Sequence, residues 1–136
     1  MRNSSLGRKN ITFGWLWILC ALLFGVYLEI KLADPQWGIG YTRMLRKLYK
    51  DAHGHALCLA FLNILYGLTI EGAHLSEGIK NQGAWLAILG AVLFPLAMIF
   101  TVYHPPVFYM TYIAASFLFL AIWIMIVGYI RRPGQP

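Results

Sequence analysis

Charge is scarce in this sequence. Charged residues make up 12% of its 136 residues, whereas a soluble domain carries about 25%. Acids are scarcer still, with 5 Asp and Glu against 11 Lys and Arg. Cysteine is limited to Cys20 and Cys58, which do not form the CxxC spacing of a zinc or redox motif. Both fall in apolar runs, where a free cysteine behaves as a small buried hydrophobe. Also missing are a glycine-rich phosphate loop, a GxSxG elbow, an HExxH helix and paired carboxylates inside an apolar run. Each absence removes a class of soluble enzyme, and the chain is read as not an enzyme on its own. No internal repeat or low-complexity tract stands out.

Apolar side chains are abundant instead, at 60% of residues. A soluble fold this small cannot hide so much apolar surface; lipid as solvent removes the need. Apolar runs at residues 11–30, 52–70, 83–103 and 107–130 each approach the roughly 20 residues that cross a hydrocarbon core. Backbone groups in hydrocarbon must be satisfied within their own segment, which makes these runs helices. The first follows Arg2, Arg8 and Lys9, as a signal peptide would. It exceeds the roughly 7–15-residue apolar region of such a peptide, so a retained helix is expected. The first ten residues and residues 133–136 read as polar tails. The expected fold class is all-α: one membrane domain over residues 1–136, an integral, multi-pass, four-helix antiparallel bundle.

Pro95 removes a hydrogen bond in the middle of the third span and predicts a kink. His104, Pro105 and Pro106 predict a very tight turn between the third and fourth spans. Between the first two spans, residues 41–50 place Tyr41, Met44, Leu45 and Leu48 on one helical face and Arg43, Arg46, Lys47 and Lys50 on the other. That pattern predicts a short amphipathic helix in the headgroup layer, with docking onto another subunit as the alternative. Trp15, Trp17, Trp37, Tyr27, Tyr103 and Tyr129 lie near span ends, where aromatic belts form. Small residues at Ala21 and Gly25, at Gly83, Ala87, Gly90 and Ala91, and at Thr111 and Ala115 predict close helix approach. Charge does not orient the chain, since the two sets of loops carry nearly equal Lys and Arg. The excess of positive charge flanks the apolar spans and suits anionic headgroups, not nucleic acid.

Counting crossings in a serpentine of this kind gathers Glu29, Asp34, Asp51, His53, His55 and His104 at one membrane face. His74, Glu71 and Glu77 lie at the other. Histidine is the commonest metal ligand, and ionisable groups at the edge of a span are candidates for function. The rim is also where a histidine meets headgroups and water at little cost. His53 and His55 differ in direction by about 200° on a regular helix, so both can face one metal ion only across an irregular first turn. Asp51 as N-cap and Gly54 as a weak helix former would permit that. His55, Leu59, Leu62, Asn63 and Tyr66 share a broad stripe, and Asn63 and Tyr66 must find partners inside protein. Glu29 extends the small-residue face of the first span and is placed to pair with Lys31, Arg43 or a histidine.

The opening Asp51-Ala52-His53-Gly54-His55 resembles the second helix of subunit I in haem-copper oxidases, where a His-Gly pair begins an apolar run. The resemblance implies that His53 matches an axial ligand of a low-spin haem, that Gly54 makes room for the macrocycle, and that His55 matches the second histidine of A-H-x-H openings. It covers five residues. The family's later helix with paired histidines has no counterpart here, and Asn63 and Tyr66 depart from its pattern. What it implies is a b-type haem or a transition metal held by His53 or His55 with His104 or a ligand from another subunit, as facing histidines do in helix bundles. Three functions are therefore expected. The first is a small membrane subunit holding such a cofactor for electron transfer. The second is a cofactor-free accessory subunit packed among other membrane subunits. The third is a small homodimeric transporter like the small multidrug exporters, although their working carboxylate lies well inside the first span and Glu29 lies at its end.

Overall fold

The computed structural model describes residues 5–37 and 43–131. Among them the regular elements are helices α1 (Ser5–Ala33), α2 (Arg43–Thr69), α3 (Glu77–Thr101) and α4 (Met110–Ile130), with no strand. Short 3-10 turns at Ile70–Gly72 and Pro105–Tyr109 join α2 to α3 and α3 to α4. Each of the four helices, taken with its adjoining turn where it has one, is long and apolar enough to cross a membrane. The fold is an all-α, four-helix antiparallel bundle.

The turns follow from local chemistry. His104 precedes two prolines and is extended, at φ −142° and ψ 93°, because the proline ring disfavours the helical region for the residue before it. Its carbonyl then accepts from Val107 N–H at 3.0 Å. Helix α3 continues through Pro95, which is buried; the missing N–H leaves the Ala91 carbonyl without its usual donor.

Two expectations about element boundaries are corrected. The helix expected over residues 41–50 is not a separate element: from Arg43 onward it is the beginning of α2, and residues 41 and 42 lie outside the described residues. Nothing between Lys50 and Ala52 breaks a helix, and Lys47 and Asp51 pair across one turn at 3.9 Å. The first ten residues are not all a polar tail either. Residues 5–10 are helical, with Gly7 and Asn10 buried.

Helix association in lipid depends on close packing and interhelical hydrogen bonds, because the surrounding tails are as apolar as leucine. Gly7, Gly14, Ala21 and Leu28 are buried at a seven-residue stride along α1, as a left-handed helix pair requires. A Cβ on Gly67 would stand 2.5 Å from the Gly7 carbonyl oxygen, and one on Gly7 would strike the Gly67 carbonyl. The α1 and α2 backbones therefore touch there. Helix α1 packs mainly on α2 and only thinly on α3, while α4 packs mainly on α3. The outer helices thus flank the α2–α3 pair. Large apolar side chains such as Leu23, Ile30 and Phe119 face outward, the arrangement expected of surfaces solvated by hydrocarbon.

One amide pair ties α1, α2 and α3 together. Asn10 Nδ2 donates to Asn63 Oδ1 and to the Ala84 carbonyl, each at 3.0 Å. Asn63 Nδ2 donates to the Leu59 and Ala87 carbonyls at 3.0 and 3.1 Å. Both residues are fully buried. Three of the four amide atoms are used in this way; Asn10 Oδ1 is buried without a hydrogen-bond partner among the described residues.

Candidate functional site

The C-terminal end of α1, the N-terminal end of α2 and the C-terminal end of α3 share one end of the bundle. Tyr49 and Tyr103 hydroxyls meet at 3.0 Å, and Leu48, Ala52 and Met98 form a small core there with Phe94 and Val102 against it. His53, His55 and His104 therefore belong to the same end, as counting crossings predicts. They do not converge. Among the described residues no group of three or more His, Cys, Asp or Glu is placed to hold a metal ion.

The reason lies in the regularity of α2. Asp51 is not an N-cap; the helix begins at Arg43, so residues 51–55 sit well inside it. The 100° step per residue then applies without relief, and the two histidines face different neighbours. His53 turns toward α1, half-buried against Gly25. A Cβ at Gly25 would come within 2.7 Å of His53 Cε1, so only glycine leaves space for the ring. Phe24 lies beside it, with ring centroids 6.4 Å apart. His53 Nδ1 is shut away without a hydrogen-bond partner among the described residues. His55 turns toward α3 instead. It stays exposed, its ring edge-on to Phe94 at 4.9 Å. His104 is exposed at the head of the 3-10 turn.

The supporting polar residues divide in the same way. Asn63 and Tyr66 are buried at 0% and 4%. Asn63 is bonded as described; the Tyr66 hydroxyl, expected to find a partner inside protein, lies where a Cβ on Gly83 would stand and has no hydrogen-bond partner among the described residues. Glu29 is exposed at the rim of α1, and Lys31 turns to the Tyr27 ring at 5.9 Å. Asp51 pairs with Lys47. Gly54 faces open space. Cys20 and Cys58 are free and exposed, not buried. At the opposite end His74 is exposed, and Lys80, 7% exposed, reaches the Glu71 carbonyl at 3.3 Å and Glu77 at 3.5 Å.

The α1–α2 seam carries a groove along its outer side. At the overhanging end is a basic cleft of about 610 Å³ between Leu32 and Arg43, Arg46, Lys47 and Lys50. It shares Leu32 and Lys50 with a second hollow of about 500 Å³, floored by Gly25 and His53 and edged by Glu29 and Ala33. That hollow in turn shares Gly25, Glu29 and His53 with a third of about 470 Å³, walled by Leu22, Val26 and Ile30. The groove therefore runs from a cationic mouth, past a histidine and a carboxylate, to an apolar wall. A separate apolar cavity of about 190 Å³ lies between α1, α2 and α3, lined by Trp17, Cys20, Phe24 and Pro95 among others.

Asn10 and the continuity of the basic face with the His53 seat are the site features that hydropathy alone does not expose. Asn10 lies ahead of the apolar run, and its signal is the seven-residue stride Gly7, Gly14, Ala21, Leu28, which extends the packing face backwards. Fold and site together define a small bundle of helices long and apolar enough to cross a membrane, with a glycine-seated histidine and a basic cleft at one end. No protein-family model matches the chain, and no curated protein or solved structure matches it.

Proposed function

We propose that the chain is a small integral membrane subunit that binds a ligand in the α1–α2 groove beside His53 and carries it within a larger membrane assembly, without catalysing a reaction alone. The observation that carries this reading is the continuity of the groove: three adjoining hollows grade from four cations to an apolar wall, with His53 set on Gly25 between them. Binding pockets combine a largely apolar lining with a few fixed polar groups, and this groove has that composition. Ala33 is exposed at its edge, so Ala33→Trp fills the groove without touching the helix interface. Native mass spectrometry of protein extracted from its membrane in mild detergent should find a retained non-protein component, released by Ala33→Trp. A bare wild-type chain, or retention unaffected by the substitution, contradicts the reading.

A second reading makes that ligand a b-type haem or a transition metal serving electron transfer. The Asp51–His55 opening and the unpaired, buried His53 Nδ1 favour it. His55 and His104 face elsewhere, so His53 would supply one ligand and another subunit or a second copy the other. The Cε1 tip of the ring rests on Gly25 of α1 with both nitrogens beside it; Nδ1 is the nitrogen shut away, so a ligand would take Nε2. The absorption spectrum and metal content of the purified protein test this. A Soret band or bound metal lost in His53→Ala but kept in His55→Ala and His104→Ala supports it; colourless, metal-free protein removes it and leaves the first reading standing.

A further inference from the structure

The groove's composition narrows the chemistry of its ligand. Arg43, Arg46 and Lys47 all stand in the first two turns of α2, and no acidic residue accompanies them in the first turn. The amino end of a helix is already the positive end of its dipole. Three cations there oppose the usual placement of charge, and an anion between them offsets both. Lys50 extends the set by one turn. Its carboxylate neighbours are few: Asp51 meets Lys47 at a loose 3.9 Å, and Glu29 lines the next hollow. One Arg46 guanidinium nitrogen donates to the Trp37 carbonyl at 3.4 Å, and the guanidinium carries further N–H donors besides. Several guanidinium and ammonium donors around one opening suit the many acceptor oxygens of a phosphate better than a single carboxylate.

Position decides between a soluble phosphate and a lipid one. At about 1.5 Å per residue, α1 and α2, with 29 and 27 residues, exceed a hydrocarbon core of roughly 30 Å. The basic cleft lies on the part that overhangs, at headgroup height. Beneath it the groove continues past Gly25 and His53 to Leu22, Val26 and Ile30, all three exposed at the bundle surface. A free anion would fill the mouth and leave that apolar length empty. An amphiphile fills both.

We infer that the α1–α2 groove holds one phosphate-headed anionic lipid, its phosphate among Arg43, Arg46, Lys47 and Lys50 and its chain laid along α1 past Glu29 and His53 toward Val26 and Leu22. The inference rests on the groove being a ligand site and names the class of that ligand. His53 and Glu29 stand at the neck, where the ester and glycerol oxygens of a phosphatidic acid would lie and where a hydrogen-bond donor and an acceptor are both of use.

The test uses the full chain in detergent micelles, with phosphatidic acid and phosphatidylcholine of identical acyl chains as probes and bound lipid read by native mass spectrometry. One phosphatidic acid per chain should be retained with a preference of about tenfold or more over phosphatidylcholine, since each surface cation adds substantially to the attraction. Arg43→Gln/Lys50→Gln changes only exposed side chains and should abolish the preference with an unaltered melting temperature. Arg131→Gln, at the opposite end, should leave it intact. Millimolar inorganic phosphate should not displace the lipid. Equal retention of both lipids, an unchanged preference in the double variant, the same loss in Arg131→Gln, or displacement by inorganic phosphate would each overturn the inference. Ala33→Trp separates the two levels. If it releases some other component while phosphatidic acid shows no preference, the lipid assignment fails and the groove remains a site. If it releases nothing, both fail.

Discussion

Asn10 and Asn63 show how amides tie this bundle: Asn10 Nδ2 and both polar atoms of Asn63 are bonded, while Asn10 Oδ1 is buried without a partner among the described residues. Interhelical hydrogen bonds in membranes average about 0.6 kcal/mol, with a maximum near 1.7, so the pair matters more for register than for bulk stability. Asn63→Leu removes the acceptor of Asn10 and the donor to Ala87. A loss of about 1–3 kcal/mol is expected, reflecting the buried groups left unpaired. Adding Asn10→Leu should cost much less than the sum of the single changes, because the two residues share partners. Reversible unfolding in bicelles measures both; full additivity would show that the network is not a unit. Gly25 makes the second prediction at this scale. In Gly25→Val the added carbons meet the tip of the His53 ring, which can swing outward. Stability should fall by about 1–3 kcal/mol, as for overpacking elsewhere, and modification of His53 by diethyl pyrocarbonate should accelerate. An unchanged modification rate would mean that the imidazole does not depend on the glycine seat.

Helices, in contrast, are held by backbone approach. Gly67→Val places carbon against the Gly7 carbonyl and the Ile11 backbone nitrogen, and neither is the end of a flexible side chain. The α1–α2 pair must open at that end, so Gly67→Val should be more destabilising than Gly25→Val by thermal unfolding in the same detergent. The reverse order would contradict the close approach. At this scale the sequence was legible wherever physics is coarse. Apolar runs of spanning length, the prolines after His104 and the basic face of residues 43–50 each correspond to an element or a turn. What could not be read was where helices begin. Gly7 and Asn10 lie among polar residues, so hydropathy starts the first span at Ile11, although the stride of small residues reaches back to Gly7. The basic segment has the composition of a surface helix, and only the lack of a breaker at Lys50-Asp51-Ala52 signals that it continues into the span.

On the scale of the whole molecule, serpentine counting placed His53, His55 and His104 at one end correctly, because alternation of direction is dictated by short turns. Convergence of those side chains did not follow. Direction around a helix is set by residue spacing, and the two-residue interval between His53 and His55 sends one toward Gly25 on α1 and the other toward Phe94 on α3. The groove was beyond reach from sequence, since it depends on which flank of α1 meets α2. On the proposed reading its cationic mouth, the His53 seat and the apolar wall acquire their meaning from a bilayer, which the four helices are long and apolar enough to cross.

That crossing is most directly tested by single-cysteine labelling in sealed vesicles, with Cys20 and Cys58 first replaced by Ser and a membrane-impermeant maleimide as reagent. Lys50→Cys and His104→Cys should react from the same side of the membrane, and Glu77→Cys from the other. Lys50→Cys and His104→Cys reacting from opposite sides, or all three reacting from one side, would contradict the four-span serpentine and the rim site built on it.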